Sequence, residues 1–407
     1  MKDVSELISN IYHNFMTSKQ KLGQYFTTNI KLKEKVFQFI LNDPTCILEP
    51  SIGQGHLVEF IKDKMPLVQF DMYEIDDKIE ILNHIDKKKI IYGNFINQPI
   101  TKTYKTIIGN PPYIKTTKGN LYIDFTKKCF HLLDNYGELI FIVPSDFIKL
   151  TSASKLLNEM MIEGTFTHIY HPHNENMFKN ASIDIIIFRY CKNNSLEKKT
   201  IYNDKIQYIT NSDGLITFSN EKNQNTFMFK DYFDIYVGIV SGKDNVFKND
   251  KYGNIEVRNG QDKIEKFICI TTYPTSNENI NSYLMENKNI LLNRGIKKFT
   301  EKNWFEWGAL RNIKIIDENI GLDCIYLYNL TRKDIIAFLG KINYFGGSLL
   351  MLKPKKNIDL DKIVTYLNSY TFKNNFIFSN RFKIGHRQVS QSYIPNYILN
   401  ESLKTDP

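Results

Sequence analysis

The chain has 407 residues, 42% of them hydrophobic, which is enough for two domains with buried cores and contains no apolar run as long as a membrane span. Lys and Arg outnumber Asp and Glu by 53 to 44, a net charge of +9 that permits a polyanionic partner without requiring one. The five cysteines stand far apart with no Cys-x-x-Cys pair and no apolar leader opens the chain, so the reading is a cytoplasmic protein with reduced thiols, no disulfide frame and no metal site.

Residues 1–20 read as a polar helix too short for a domain. Gly23-Gln24-Tyr25-Phe26-Thr27 then precedes a helical spacing at Val36, Phe37, Ile40 and Leu41. Thr27, Thr28 or Asn29 can cap that helix, as a plain cap or beside a carboxylate ligand held by the free N–H groups. Cys46 to Pro50 is a buried strand that enters Ser51-Ile52-Gly53-Gln54-Gly55, and a helix is predicted over 56–64. Strand, glycine turn and helix form the unit that binds nucleotide-like ligands at the carboxyl edge of a parallel sheet. The acidic Glu49 at the mouth of the turn disfavours pyrophosphate and suits a positively charged ligand.

A second strand over 68–73 ends in Glu74, about 20 residues beyond the glycines, where a carboxylate takes ribose hydroxyls. Helix capping by Asp76 or Asp77 is the alternative, and both can hold. A third strand over 89–92 ends in Gly93-Asn94-Phe95, where Asn94 can hydrogen-bond an adenine edge and Phe95 pack on its face. The fourth strand runs into Asn110-Pro111-Pro112-Tyr113. Two prolines fix φ at successive positions, so this is a stiff turn presenting one carboxamide, the Pro111 carbonyl and one aromatic face. It is either an ordinary strand-to-turn junction or a holder for a planar base that carries an amino group.

A helix over 121–133, strand over 138–143, helix over 154–162 and strands over 166–170 and 183–190 follow, with Phe178 in the polar loop before the last strand. The expected fold is α/β: a doubly wound, mostly parallel, seven-stranded sheet whose last two strands form an antiparallel hairpin at the edge. Residues 191–199 read as a linker. Residues 200–407 read as a mixed α+β domain without repeat, Walker loop or metal cluster. In it, 237–247, Asn293-Arg294-Gly295 and 381–388 pair basic or amide side chains with glycines, suiting nucleic acid or simply forming solvated turns.

Taken in order, these motifs resemble the S-adenosylmethionine-dependent N6-adenine DNA methyltransferases of the gamma group, whose catalytic motif is Asn-Pro-Pro-Tyr. The resemblance runs from Gly23 to about Tyr190 and implies a class I, Rossmann-like catalytic domain over 1–195. It implies S-adenosyl-L-methionine bound by Thr27, Glu49, Pro50, Ser51, Gly53, Gly55, Glu74, Asn94 and Phe95. Asn94 departs from the family's usual Asp, although an amide oxygen still accepts from an adenine amino group. Asn110, Pro111, Pro112, Tyr113 and Phe178 are implied to hold a flipped-out base, and 200–407 is implied to recognise the target in double-stranded DNA.

The expected protein is a monomer, with a separate cognate restriction endonuclease as companion. Cytosine-N4 methylation, rRNA adenine methylation and a catalytically silent DNA-binding specificity subunit are the rival readings.

Overall fold

A computed structural model describes residues 23–402 apart from 117–118, 180, 195–197 and 296–298, so the helix expected within 1–20 lies outside the described residues. The chain divides into two compact units: 1–223 with 374–379, and 224–373 with 380–407. No helix among the described residues is long and apolar enough to cross a membrane.

The first unit is built on one sheet. All seven expected segments are strands of it: β1 (Cys46–Glu49), β2 (Gln69–Glu74), β3 (Ile90–Tyr92), β4 (Tyr104–Gly109), β5 (Leu133–Pro144), β6 (Gly164–Tyr170) and β7 (Ile185–Lys192). The sheet nevertheless has ten strands, because β8 (Lys199–Tyr202), β9 (Lys205–Ser212) and β10 (Leu215–Ser219) extend it in the order β10-β9-β8-β6-β7-β5-β4-β1-β2-β3. Two expectations are thereby corrected. The antiparallel β6–β7 pair is interior, since β7 lies between β5 and β6 and β8 pairs in parallel with β6. The boundary expected at 195–200 moves to 223–224, because 199–219 belong to this sheet.

Helices α1 (Ile30–Gln38), α2 (His56–Lys64), α3 (Leu121–His131) and α4 (Ser154–Glu163) cover both faces. Alternation along the strands assigns them. Ile47, Ile108, Ile140 and Ile142 pack in one cluster with Leu32 and Val36 of α1 and Leu57 and Ile61 of α2. Their neighbours Leu48, Ile107, Leu139 and Phe141 pack in the other with Cys129 of α3 and Leu157 and Met160 of α4. The helix-between-strands rhythm is less regular than expected, since the β2–β3 and β3–β4 connections carry only the 3₁₀ turns Lys87–Lys89 and Phe95–Asn97. Strands β1, β2, β3, β4 and β5 are parallel, and the chain turns from one side of the sheet to the other between β1 and β4. A crevice forms at such a reversal.

Residues 374–379 complete this unit from far along the chain. Ile377 is buried in the α3–α4 cluster, its carbonyl accepts from Lys149 Nζ at 3.0 Å, and the Asn375 carbonyl accepts from Phe218 N at 3.1 Å.

The second unit holds a four-stranded antiparallel sheet ordered Phe233–Val237, Leu349–Pro354, Asp323–Tyr328, Ala337–Lys341. Helix Leu360–Asn368 buries Ile363, Tyr366 and Leu367. A separate aromatic cluster of Phe247, Trp304, Phe305 and Trp307 packs around the hairpin Ile255–Gly260/Lys263–Phe267.

Candidate active site

A cleft with about 920 Å³ of empty volume, part of it open to solvent, lies at the carboxyl ends of β1 to β4. The structure brings Thr27, Glu49, Pro50, Ser51, Gly53, Glu74, Asn94, Phe95, Asn110 and Pro112 into its wall. Gly55, Pro111, Tyr113 and Phe178 are not in the wall. Gly55 acts on shape instead: its φ of +96° starts α2, and a Cβ there would stand 2.0 Å from Ile85 Cδ1.

The two acids differ in how far their oxygens are occupied. Glu74 accepts from Gly53 N at 2.8 Å and from Ile75 and Asp76 N at 3.0 Å each, so its carboxylate already shapes the glycine turn. Burial still raises its pKa. Glu49 is 1% exposed and, among the described residues, receives only Ser51 N at 3.1 Å. Burial, then the nearby Glu74 charge, pushes its carboxyl up to about 8 against that one hydrogen bond. A neutral acid there would ionise for a cation. This donor set fits an amino acid ammonium or a sulfonium. At the far wall, Asn94 Oδ1 accepts from Ile96 N at 3.0 Å, capping its own turn, which leaves one lone pair for a ligand.

Asn110 ends β4 with its carboxamide tied on both sides. Nδ2 donates to the Tyr25 carbonyl at 2.5 Å and to Thr27 Oγ1 at 3.1 Å, and Oδ1 accepts from the Tyr113 hydroxyl at 2.7 Å. A carbonyl can only accept, so the Tyr25 contact assigns the NH₂ side and with it the direction of the amide oxygen. Thr27 therefore does not cap α1; Asn29 does, through Lys31 N.

Tyr25 is a residue that sequence reasoning did not select for the site. Its ring lies 5.4 Å from that of Tyr113 and 5.8 Å from that of Phe178, while Tyr113 and Phe178 stand 6.1 Å apart. The Asn-Pro-Pro-Tyr aromatic and the distant loop aromatic thus meet beside Asn110. Burial raises the Tyr113 phenol well above its usual range, keeping it a neutral donor.

A polar knot beyond β5 was also missed. His171 Nε2 lies 2.8 Å from Asp184 Oδ1, Ser145 Oγ donates to Asp184 Oδ2 at 2.6 Å, and Ser379 Oγ donates to the same carboxylate. Burial alone would raise the Asp184 carboxyl, but these bonds bring it below the usual range.

In the second unit, Arg294 is not a surface reader. It is buried, donates to the carbonyls of Leu291, Ser241 and Trp304, and stacks 3.6 Å from the Phe299 ring centre. Burial lowers its guanidinium to about 10.

Residues 49–178 match the family profile described as Eco57I restriction-modification methylase. The chain is 25% identical over 449 residues to the Type II methyltransferase M.HindII of Haemophilus influenzae, covering 87% of this chain and 84% of that one. It is 29% identical over 210 residues to the Type II methyltransferase M.HincII of Haemophilus influenzae, covering 46% of this chain and only 40% of the relative. It is also 32% identical over 133 residues to ribosomal RNA small subunit methyltransferase A of Mesomycoplasma hyopneumoniae, covering 31% of this chain and 48% of the relative. Over residues 49–178 the chain is thus similar to the Eco57I restriction-modification methylases.

Proposed function

We propose that the protein is a DNA methyltransferase that moves a methyl group from S-adenosylmethionine to the N6 amine of an adenine flipped out of the duplex. The observation that carries this reading is the fixed Asn110 carboxamide, whose oxygen is aimed by Tyr25 and Thr27 at the end of a cleft holding an under-satisfied buried acid. The cofactor supplies an electrophilic methyl on a sulfonium.

Glu49 would take the positive amino acid end of that cofactor, and Glu74 one ribose hydroxyl through its remaining lone pair. Asn94 and Phe95 hold the adenine edge and face. An aromatic amine is a poor nucleophile because its lone pair is delocalised into the ring. Asn110 Oδ1 and the Pro111 carbonyl accept its two N–H bonds, favour a pyramidal nitrogen, and stabilise the positive charge that grows there during transfer. Tyr113 then yields the Asn110 oxygen to the base, with Ile142 O, 3.0 Å away, ready to accept its hydroxyl proton. Unstacking the target costs a few kcal/mol, and packing on Tyr113 and Phe178 offsets about 1–3 kcal/mol per contact.

Cytosine N4 offers a similar amine, and the ribosomal RNA relative keeps an RNA substrate as the second reading. Residues 224–373 and 380–407 serve target recognition in this proposal, and a separate endonuclease cutting the same site is the companion. Incubation with labelled S-adenosylmethionine and duplex DNA, ribosomal RNA or free protein acceptors tests it. Label in N6-methyladenine of DNA is expected. Label in RNA alone, or in N4-methylcytosine, replaces it.

A further inference from the structure

The turn that presents Asn94 and Phe95 follows a strand of only three residues at the end of the sheet, and no α-helix connects it to β4. It is held from one side by a single cation. Lys128 Nζ, on α3, donates to the carbonyls of Phe95 at 2.5 Å, Gln98 at 2.6 Å and Ile96 at 3.1 Å. An ammonium has three donors and no acceptor, so three carbonyls saturate it. The same ammonium lies 4.6 Å from the centre of the Phe95 ring, close enough for a cation–π attraction.

One helical turn earlier, Phe125 stacks on Phe95 with centroids 5.3 Å apart and lines the cleft. Helix α3 also reaches back to the base end of the site, since Leu121 N donates to the Ile114 carbonyl at 2.8 Å just after Asn110-Pro111-Pro112-Tyr113. One helix therefore braces both ends of the cleft.

We propose that Lys128 is a positioning residue for the cofactor. By gathering the carbonyls of 95, 96 and 98, it fixes Phe95 and Asn94 where the adenine of an adenosyl ligand rests. The proposal rests on the reading of the cleft as an S-adenosylmethionine site. A lysine that merely stabilised the fold would lower the melting temperature and leave the affinity of folded protein unchanged. A positioning lysine shifts affinity.

The full chain, Lys128→Met and Lys128→Arg are titrated calorimetrically with S-adenosylhomocysteine, and their methyl-transfer kinetics are compared. Lys128→Met is expected to weaken S-adenosylhomocysteine binding and raise KM for S-adenosylmethionine about tenfold, the scale of one charged hydrogen bond. Its KM for DNA and its kcat at saturation stay within about twofold, since the lost bonds are equal in ground and transition states. Lys128→Arg, which keeps the charge and the donors, recovers part of the affinity. Folded Lys128→Met with wild-type affinity overturns the proposal.

If Lys128→Met does not fold, Lys128→Gln is followed by amide hydrogen exchange. Faster exchange confined to 94–98 together with weaker binding supports the clamp, and unchanged exchange and affinity overturn it. Wild-type protein that binds no S-adenosylhomocysteine overturns the cofactor reading, and the Lys128 proposal with it.

Discussion

Glu49 and Glu138 are both buried in the same sheet, on β1 and β5, with 1% and 0% exposure. Glu138 is saturated. It receives Arg189 Nε at 2.7 Å, Thr106 Oγ1 at 2.8 Å, and the Leu41 and Asn42 amides at 3.1 Å each. Four donors fill the four lone-pair directions of a carboxylate. Among the described residues Glu49 has one donor, and burial pushes its carboxyl up to about 8. Burial alone separates neither acid from the other. The count of donors does: Glu138 is a structural tie, and Glu49 is the acid that the proposed function assigns to a cation.

That contrast breaks first at Glu138. Glu138→Ala leaves Arg189, whose side chain is 7% exposed, without its carboxylate. A loss of about 3–5 kcal/mol in urea unfolding is expected. A loss under about 1 kcal/mol would remove the distinction between the two acids, because it lies in the range of an exposed pair.

In the proposed mechanism, Asn110→Ala removes an acceptor used chiefly in the transition state. The expected fall in kcat is about 10²–10³-fold, with S-adenosylhomocysteine binding within about twofold. Near-wild-type turnover would sink the catalytic assignment.

Glu49 is read out by pH in the ligand-free protein. Its folded pKa of about 8 lies above the ordinary carboxylate value of 4.5, so the folded state keeps a proton that the unfolded state gives up. Stability is then highest below pH 4.5 as far as this group is concerned, and falls as pH rises toward 8, by at most about 1.4 kcal/mol per pH unit. Glu49→Gln should flatten that part of the curve between pH 5 and 7.5. An equally steep curve in Glu49→Gln would assign the slope to other groups, Glu74 first.

The smallest effect concerns Thr27. Thr27→Val removes one of the two acceptors that orient the Asn110 amide, and kcat should fall about fivefold, the ~1 kcal/mol of one hydrogen bond, with thermal stability nearly unchanged. Unaltered kcat would mean that Tyr25 O alone sets the amide.

The first seven strands were legible because their apolar runs are bounded by glycine, proline and acid turns. The helix at 56–64 was legible through its apolar spacing and the glycines before it. Strands β8 to β10 were not. They have no helix between them and carry outward residues such as Ile206 at 69% exposure, so they read as linker and mixed chain.

The cleft residues were legible as types at strand ends, while their hydrogen-bond states were not. Asn94 spends one lone pair on Ile96 N, and Arg294 turns inward to three backbone carbonyls. Lys128 escaped notice for the same reason, since its partners are main-chain oxygens that any sequence possesses. The Asp184 knot needs Ser379, 195 residues away, which no local pattern encodes.

The return of 374–379 to the first unit has a consequence for synthesis. Strands β1 to β10 are all made by residue 219, yet the side chain that fills the α3–α4 core, Ile377, and the acceptor for buried Lys149 come about 155 residues later. At translation rates of about 5–20 residues per second, that is a wait of roughly 8–30 s. During it the nascent sheet carries an unfilled apolar site and a lysine without that carbonyl. The first unit cannot finish folding as an autonomous early product. Its last structural piece arrives only when most of the second half has also left the ribosome.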